Sequence, residues 1–161
     1  MTKSDYNQSV KTHSDSIYRF VLKNIKDADK AKDIVQDTYV KLWAKIEEVD
    51  PLKVKSYLFT VAYRTMIDVI RRDKKQIPFE VADYNAHLHQ DGYSDLSEVL
   101  QQAISQLPEV QRSAIMLRDY EGYSYKEIGD ILTLSESQVK VYIFRSRVFL
   151  KKYLISIEHV L

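Results

Sequence analysis

Residues 124–147, SYKEIGDILTLSESQVKVYIFRSR, hold the pattern that decides the fold. Ser124 stands three residues before Glu127. That is the spacing of a capping box, in which each side chain satisfies a backbone amide that the helix start leaves free. Ile128, Ile131 and Leu132 then give a short helix an apolar face. Gly129 falls where the next helix must cross closely. Thr133-Leu134-Ser135 makes a tight turn with one buried side chain, and Ser135 repeats the capping signal with Gln138 three residues on. Two helices so joined form a helix-turn-helix, whose second helix can enter a DNA major groove.

That second helix sorts its residues by face. Val139, Ile143, Ser146 and Leu150 fall on one stripe and should meet the core. Gln138, Lys140, Val141, Tyr142, Phe144 and Arg145 point outward. An exposed Val, Tyr and Phe among cations suits contact with phosphates, base edges and thymine methyls. An amphipathic helix with a merely solvated basic face has the same periodicity. The capped turn, and the absence of any carboxylate from Gln138 to Tyr153, favour DNA.

The rest of the chain is compatible with an all-α protein. Of 161 residues, 45% are hydrophobic, so a real core can form, while three Gly and three Pro are too few for the turns of an all-β fold. There is no Cys, which excludes disulfides, thiolate zinc sites and cysteine nucleophiles. No apolar run approaches the ~18 residues of a membrane span, and Met1 to His13 lacks the apolar stretch of a signal peptide. A cytoplasmic protein without membrane insertion is expected.

A net charge of +1 hides an uneven distribution. Lys53 to Gln76 carries net +5, Ile77 to Glu98 net −5, and Gln138 to Tyr153 net +5. The acidic stretch holds Pro78, Asp83, Asn85, Asp91, Gly92, Ser94 and Asp95 with no lasting helical period, and reads as a flexible linker. The expected organisation is two small helical domains, 4–75 and 96–161, joined by the acidic linker 76–95.

The first domain shows helical spacing at Ile17, Phe20, Val21 and Ile25, and again from about Ala28 to Ile46, with Val35, Tyr39, Leu42 and Ile46 as the apolar stripe. Trp43 adjoins that stripe and is expected in the core. The opposite face shows Asp33, Gln36, Asp37 and Lys41. Carboxylates spaced this way can receive a partner's Arg or Lys. A solvated surface with an internal Asp37–Lys41 pair, worth about 0.3–0.5 kcal/mol, is the plainer reading of the pattern alone. A long helix from about Val54 to Lys74 buries Val54, Leu58, Val61, Thr65 and Val69, widened by Phe59, Ala62, Met66 and Ile70. Thr60, Arg64, Ile67 and Arg71 oppose them, with Tyr57 beside. A cationic stripe with a neighbouring aromatic suits single-stranded DNA, where each stacked base contributes ~1–3 kcal/mol.

The segments Leu107-Pro108-Glu109, Leu117 to Gly129 and Leu134 to Lys140 resemble region 4 of bacterial sigma-70-type factors, most closely the extracytoplasmic-function (ECF) group. Asp33 to Trp43 resembles that group's region 2.2, and Lys55 to Thr60 through Asp68 to Arg72 its regions 2.3 and 2.4. Family members commonly carry Ala at Gly129, a small change in that both residues are expected to permit close helix approach; Thr65 and Gln138 also depart from the usual residues.

The resemblance implies an initiation factor that binds core RNA polymerase, finds a promoter and helps open it. It involves no catalysis and no cofactor. Asp33, Gln36, Asp37 and Lys41 would dock on the coiled coil of the polymerase's largest subunit. Asp50, Lys53, Tyr57, Thr60, Arg64, Arg71 and Arg72 would meet the melted −10 element, with the loop Glu47 to Lys53 holding a base turned out of the duplex. In region 4, Val141, Phe144 and Arg145 would approach −35 bases, and Arg118, Gln138 and Lys140 the phosphates. The acidic linker would thread the polymerase near the RNA exit path. An anti-sigma factor is the expected inhibitor.

Three other readings compete. A helix-turn-helix regulator binding duplex DNA without polymerase would leave the Asp33 face and the Arg64–Arg71 stripe idle. A helical enzyme has little to work with: the only histidines are His13, His87, His89 and His159, of which His87 and His89 could bind a metal weakly. A plain helical interaction protein does not account for two separated basic segments.

Overall fold

A computed structural model describes residues 1–76 and 95–160. His87, His89 and nearly all of the expected linker lie outside the described residues. The first domain holds α1 (Lys3–Ile25), α2 (Ala28–Ala44), a 3₁₀ turn (Pro51–Lys53) and α3 (Val54–Gln76). The second holds α4 (Asp95–Ser105), α5 (Glu109–Asp119), α6 (Tyr125–Leu132) and α7 (Glu136–Val160).

Local chemistry explains most of the helix ends. Thr2 and Asp5 form a reciprocal capping box at the start of α1, at 3.0 and 2.9 Å. The helix ends where Lys26 turns left-handed and its N–H returns to the Leu22 carbonyl at 2.7 Å. Asp27 caps α2 by accepting the Lys30 N–H.

α2 departs from expectation in two ways. Its buried residues are Ala31, Ile34, Thr38, Tyr39 and Leu42. Val35 is only half-buried, and Ile46 falls beyond the helix end at Ala44. Trp43, expected in the core, is 48% exposed, its ring packed edge-on against Tyr6 with centroids 5.1 Å apart. One residue past Leu42, it is rotated off the stripe that Ile34, Thr38 and Leu42 bury.

α3 buries Leu58, Phe59, Ala62 and Met66 completely, with Tyr63 and Thr65 nearly so. Phe59 is core, as expected. Val61, Val69 and Ile70 are only half-buried, because the buried face is turned toward Tyr63, where the second domain packs.

The cores of the two domains are continuous. Phe59 stacks edge-on with Phe20 on one side and with Tyr123 of the α5–α6 connection on the other, at 5.5 and 5.7 Å. The Tyr63 hydroxyl donates to Glu109 Oε1 at 2.9 Å. Burial, and then the Glu109 carboxylate, push the Tyr63 phenol pKa up, so the phenol remains a neutral donor. Arg112 Nε donates to Asn24 Oδ1 at 2.8 Å, and its Nη1 donates to the Ser105 and Leu107 carbonyls. Lys23 lies 3.8 Å from the centre of the Tyr120 ring. Domains of roughly 70 residues bury little surface alone, so docking adds what each lacks.

Candidate nucleic-acid and partner interfaces

The helix-turn-helix forms as its spacing predicts. Ser124 accepts the Glu127 N–H at 3.1 Å and Glu127 accepts the Ser124 N–H at 3.3 Å. Ser135 and Gln138 repeat the exchange at the start of α7, at 3.1 and 2.9 Å. Between them, Thr133 adopts a left-handed conformation (φ 61°) and the turn folds back on α6.

At Gly129 the structure corrects an expectation. A Cβ there would stand 2.6 Å from the Leu134 carbonyl oxygen, a backbone atom that cannot swing aside. The turn, more than the next helix, makes the close approach. Gly129→Ala should cost about 1–3 kcal/mol, as overpacking does. A thermal melt checks this, and an unchanged midpoint would show that the turn relaxes freely.

Val139, Ile143 and Ser146 seat α7 in the core, while Leu150 is half-buried. Lys140, Val141, Phe144 and Arg145 are exposed, Phe144 to 68%. Tyr142, expected outward, is half-buried. Arg145 forms no ion pair among the described residues, whereas Lys140 lies 3.9 Å from Glu136 and Arg147 binds Asp119 at 2.8 Å. Gln138 is exposed, but its side-chain oxygen is committed to the cap. Arg118 is half-buried: it donates to the Tyr123 carbonyl at 2.9 Å and lies 4.5 Å from the centre of the Tyr125 ring. It therefore braces the approach to α6.

On α3, Arg64 and Arg71 are exposed, and Tyr57 and Thr60 are half-buried. The Thr60 hydroxyl donates to the Ser56 carbonyl. Arg72 is also exposed, but it lines a separate groove between α2 and α3 with Lys30, Asp33, Asp37 and Asp73. Lys30 and Asp73 bridge this groove at 2.6 Å. Lys53 is exposed, and the exposed Asp50 accepts the Leu52 N–H, so its carboxylate caps the 3₁₀ turn.

On α2, Asp33, Gln36 and Asp37 are exposed as expected. Lys41 is exposed too, yet its ammonium donates to Thr65 Oγ1 on α3 at 2.9 Å instead of pairing with Asp37. The structure adds two residues to this face, Val40 at 62% exposure and Trp43. Val40 lies off the apolar stripe, and that was its only signal in the sequence.

Comparison with known proteins agrees with this architecture. Residues 10–76 match the family model for sigma-70 region 2, and residues 97–150 that for sigma-70 region 4. The chain is 33% identical to the ECF RNA polymerase sigma factor SigM of Bacillus subtilis (strain 168), over 86% of this chain and 88% of that protein. It is 30% identical to the RNA polymerase sigma factor SigV of the same organism, over 83% and 81%. Among solved structures, it matches the sigma factor RpoE in complex with the anti-sigma factor NepR from Bartonella quintana. The TM-score is 0.80 at 26% identity, covering 93% of this chain and 96% of that one. Both domains are thus matched, in the same order, by proteins of one kind, and the chain belongs to the ECF group of sigma-70 factors, which are transcription initiation factors that bind RNA polymerase.

Proposed function

We propose that the division of labour follows the exposed faces described above. The domains are assigned to 4–75 and 96–161, with 76–95 as linker. Asp33, Gln36 and Asp37, extended by Val40 and Trp43, dock on the largest-subunit coiled coil of core polymerase. Arg64 and Arg71, with Tyr57, line the path of the opened −10 strand. Val141, Phe144 and Arg145 read −35 bases in the major groove, and Lys140 meets a phosphate. Binding energy drives promoter opening, with no cofactor, small-molecule substrate or catalytic step. The protein works in the cytoplasm. An anti-sigma factor is the expected inhibitor, in keeping with the RpoE relative, whose structure contains one.

The observation that carries this reading is the outer face of α7: exposed apolar residues and cations on a capped helix start. Run-off transcription with core polymerase tests it. Specific transcripts should form only when this chain is added. DNA binding that neither needs nor recruits core polymerase would favour the conventional regulator instead.

Two neighbours on α7 separate base reading from anchoring. Arg145→Ala should cost about 1–3 kcal/mol at the preferred −35 sequence and flatten discrimination at one or two positions. Lys140→Ala should weaken all sequences alike and lower the salt slope by about one ion. Binding to a −35 duplex library at several salt concentrations measures both. Sequence preference left intact by Arg145→Ala would overturn the orientation assigned to α7.

A further inference from the structure

Arg72 stands apart from the cations it neighbours in sequence. Arg64 and Arg71 are seven residues apart, so at about 100° per residue they share one stripe of α3. Arg72 lies about 100° further round the helix and lines the groove between α2 and α3. It is exposed and forms no ion pair among the described residues.

The groove holds about 310 Å³. Ile34, 1% exposed, and the half-buried Val69 form its apolar lining. Asp33 and Asp37 stand on the α2 side, four residues apart and so on one face of that helix. Arg72 and Asp73 stand on the α3 side, and Lys30 binds Asp73 across the groove at 2.6 Å. That bridge occupies Asp73, while Asp33 and Asp37 pair with nothing on α3.

The charges decide what kind of partner fits. Lys30 and Arg72 against Asp33, Asp37 and Asp73 leave the lining at net −1. A DNA phosphate entering the groove would meet three carboxylates along with Arg72, and is disfavoured. A protein surface carrying both signs is suited to it. Its cations can meet Asp33 and Asp37, and one of its carboxylates can take two hydrogen bonds from the planar guanidinium. Asp33 and Asp37 already belong to the face assigned to core polymerase, so the groove continues that face onto α3. Opposite signs on the two walls select one register, because a shifted partner would set like charges together.

We propose that Arg72 is a docking residue for core polymerase: it takes a carboxylate of the polymerase while Asp33 and Asp37 take its cations, and the pair of walls fixes the register of the complex. This rests on the assignment of the α2 face to core polymerase.

The test uses the full chain. Titration of labelled core polymerase reads affinity, and permanganate reactivity of unpaired thymines reads promoter opening. Arg72→Ala should weaken core binding about tenfold and Arg72→Glu about 100-fold, with the melting temperature unchanged. Arg72→Lys keeps the charge but loses the fork, and should fall between wild type and alanine. The loss of opening in Arg72→Ala should vanish at saturating core polymerase, whereas that in Arg71→Ala should persist. Unchanged core affinity in Arg72→Glu, or an opening defect in Arg72→Ala that survives saturation, would overturn the proposal and, in the second case, return Arg72 to DNA. If Asp33→Lys with Asp37→Lys also left core affinity unchanged, the α2 face itself would be misassigned, a result distinct from failure at Arg72 alone.

Discussion

Replacing Tyr123 by alanine is expected to lower the stability of the chain by about 3–5 kcal/mol, whereas phenylalanine should leave it within about 1 kcal/mol. The ring is 5% exposed and lies edge-on to Phe59, with Lys55 Nζ 5.0 Å from its centre. It reaches from the α5–α6 connection into the first domain, so alanine would open a cavity where the two cores meet. The hydroxyl contributes little: it is buried without a well-formed hydrogen bond, Ser56 being the polar side chain that acts on it against the effect of burial. Urea unfolding measures the free energy, and the alanine midpoint should fall by roughly 10 °C in a thermal scan. A second transition in the alanine variant would mark domains that now unfold separately. A loss below about 1 kcal/mol would show that the ring does not couple them.

Charge reversal on α2 should have the largest effect on association. Asp33→Lys with Asp37→Lys is expected to weaken core polymerase binding by about 100-fold, through unlike charges turned into like ones across the interface. Both side chains are exposed, and neither forms an ion pair among the described residues, so the variant should fold. Trp43→Ala should weaken binding as well, since a half-exposed aromatic beside carboxylates has the composition of an interface anchor. Titration of labelled core polymerase measures both. A folded double variant with unchanged affinity would remove this face from the docking surface.

The recognisable parts of the chain are those built by neighbours in sequence. Ser124 with Glu127 and Ser135 with Gln138 act across three residues, so their spacing reveals both helix starts and the turn between them. The stripe Val139, Ile143 and Ser146 obeys helical periodicity and is buried accordingly. The exposure of candidate residues was legible where they lie opposite such a stripe: Asp33, Asp37, Arg64, Arg71, Phe144 and Arg145 all remain in water.

The expectations that shifted concern side chains whose partners are far away in sequence. Lys41 turns to Thr65 and Arg72 sits in the α2–α3 groove, while Arg118 is drawn to Tyr123 only five residues on, across a turn that helical periodicity does not describe. Val40 is set apart by what fails to cover it, and periodicity cannot register that. The sequence alone determined the helices of the described residues and most of the outward face of α7, because those depend on interactions within one or two helical turns. Only the tertiary structure decided that the halves share a core. Asn24 meets Arg112, and Phe59 meets Tyr123, through packing between surfaces that each helix presents independently of its own repeat.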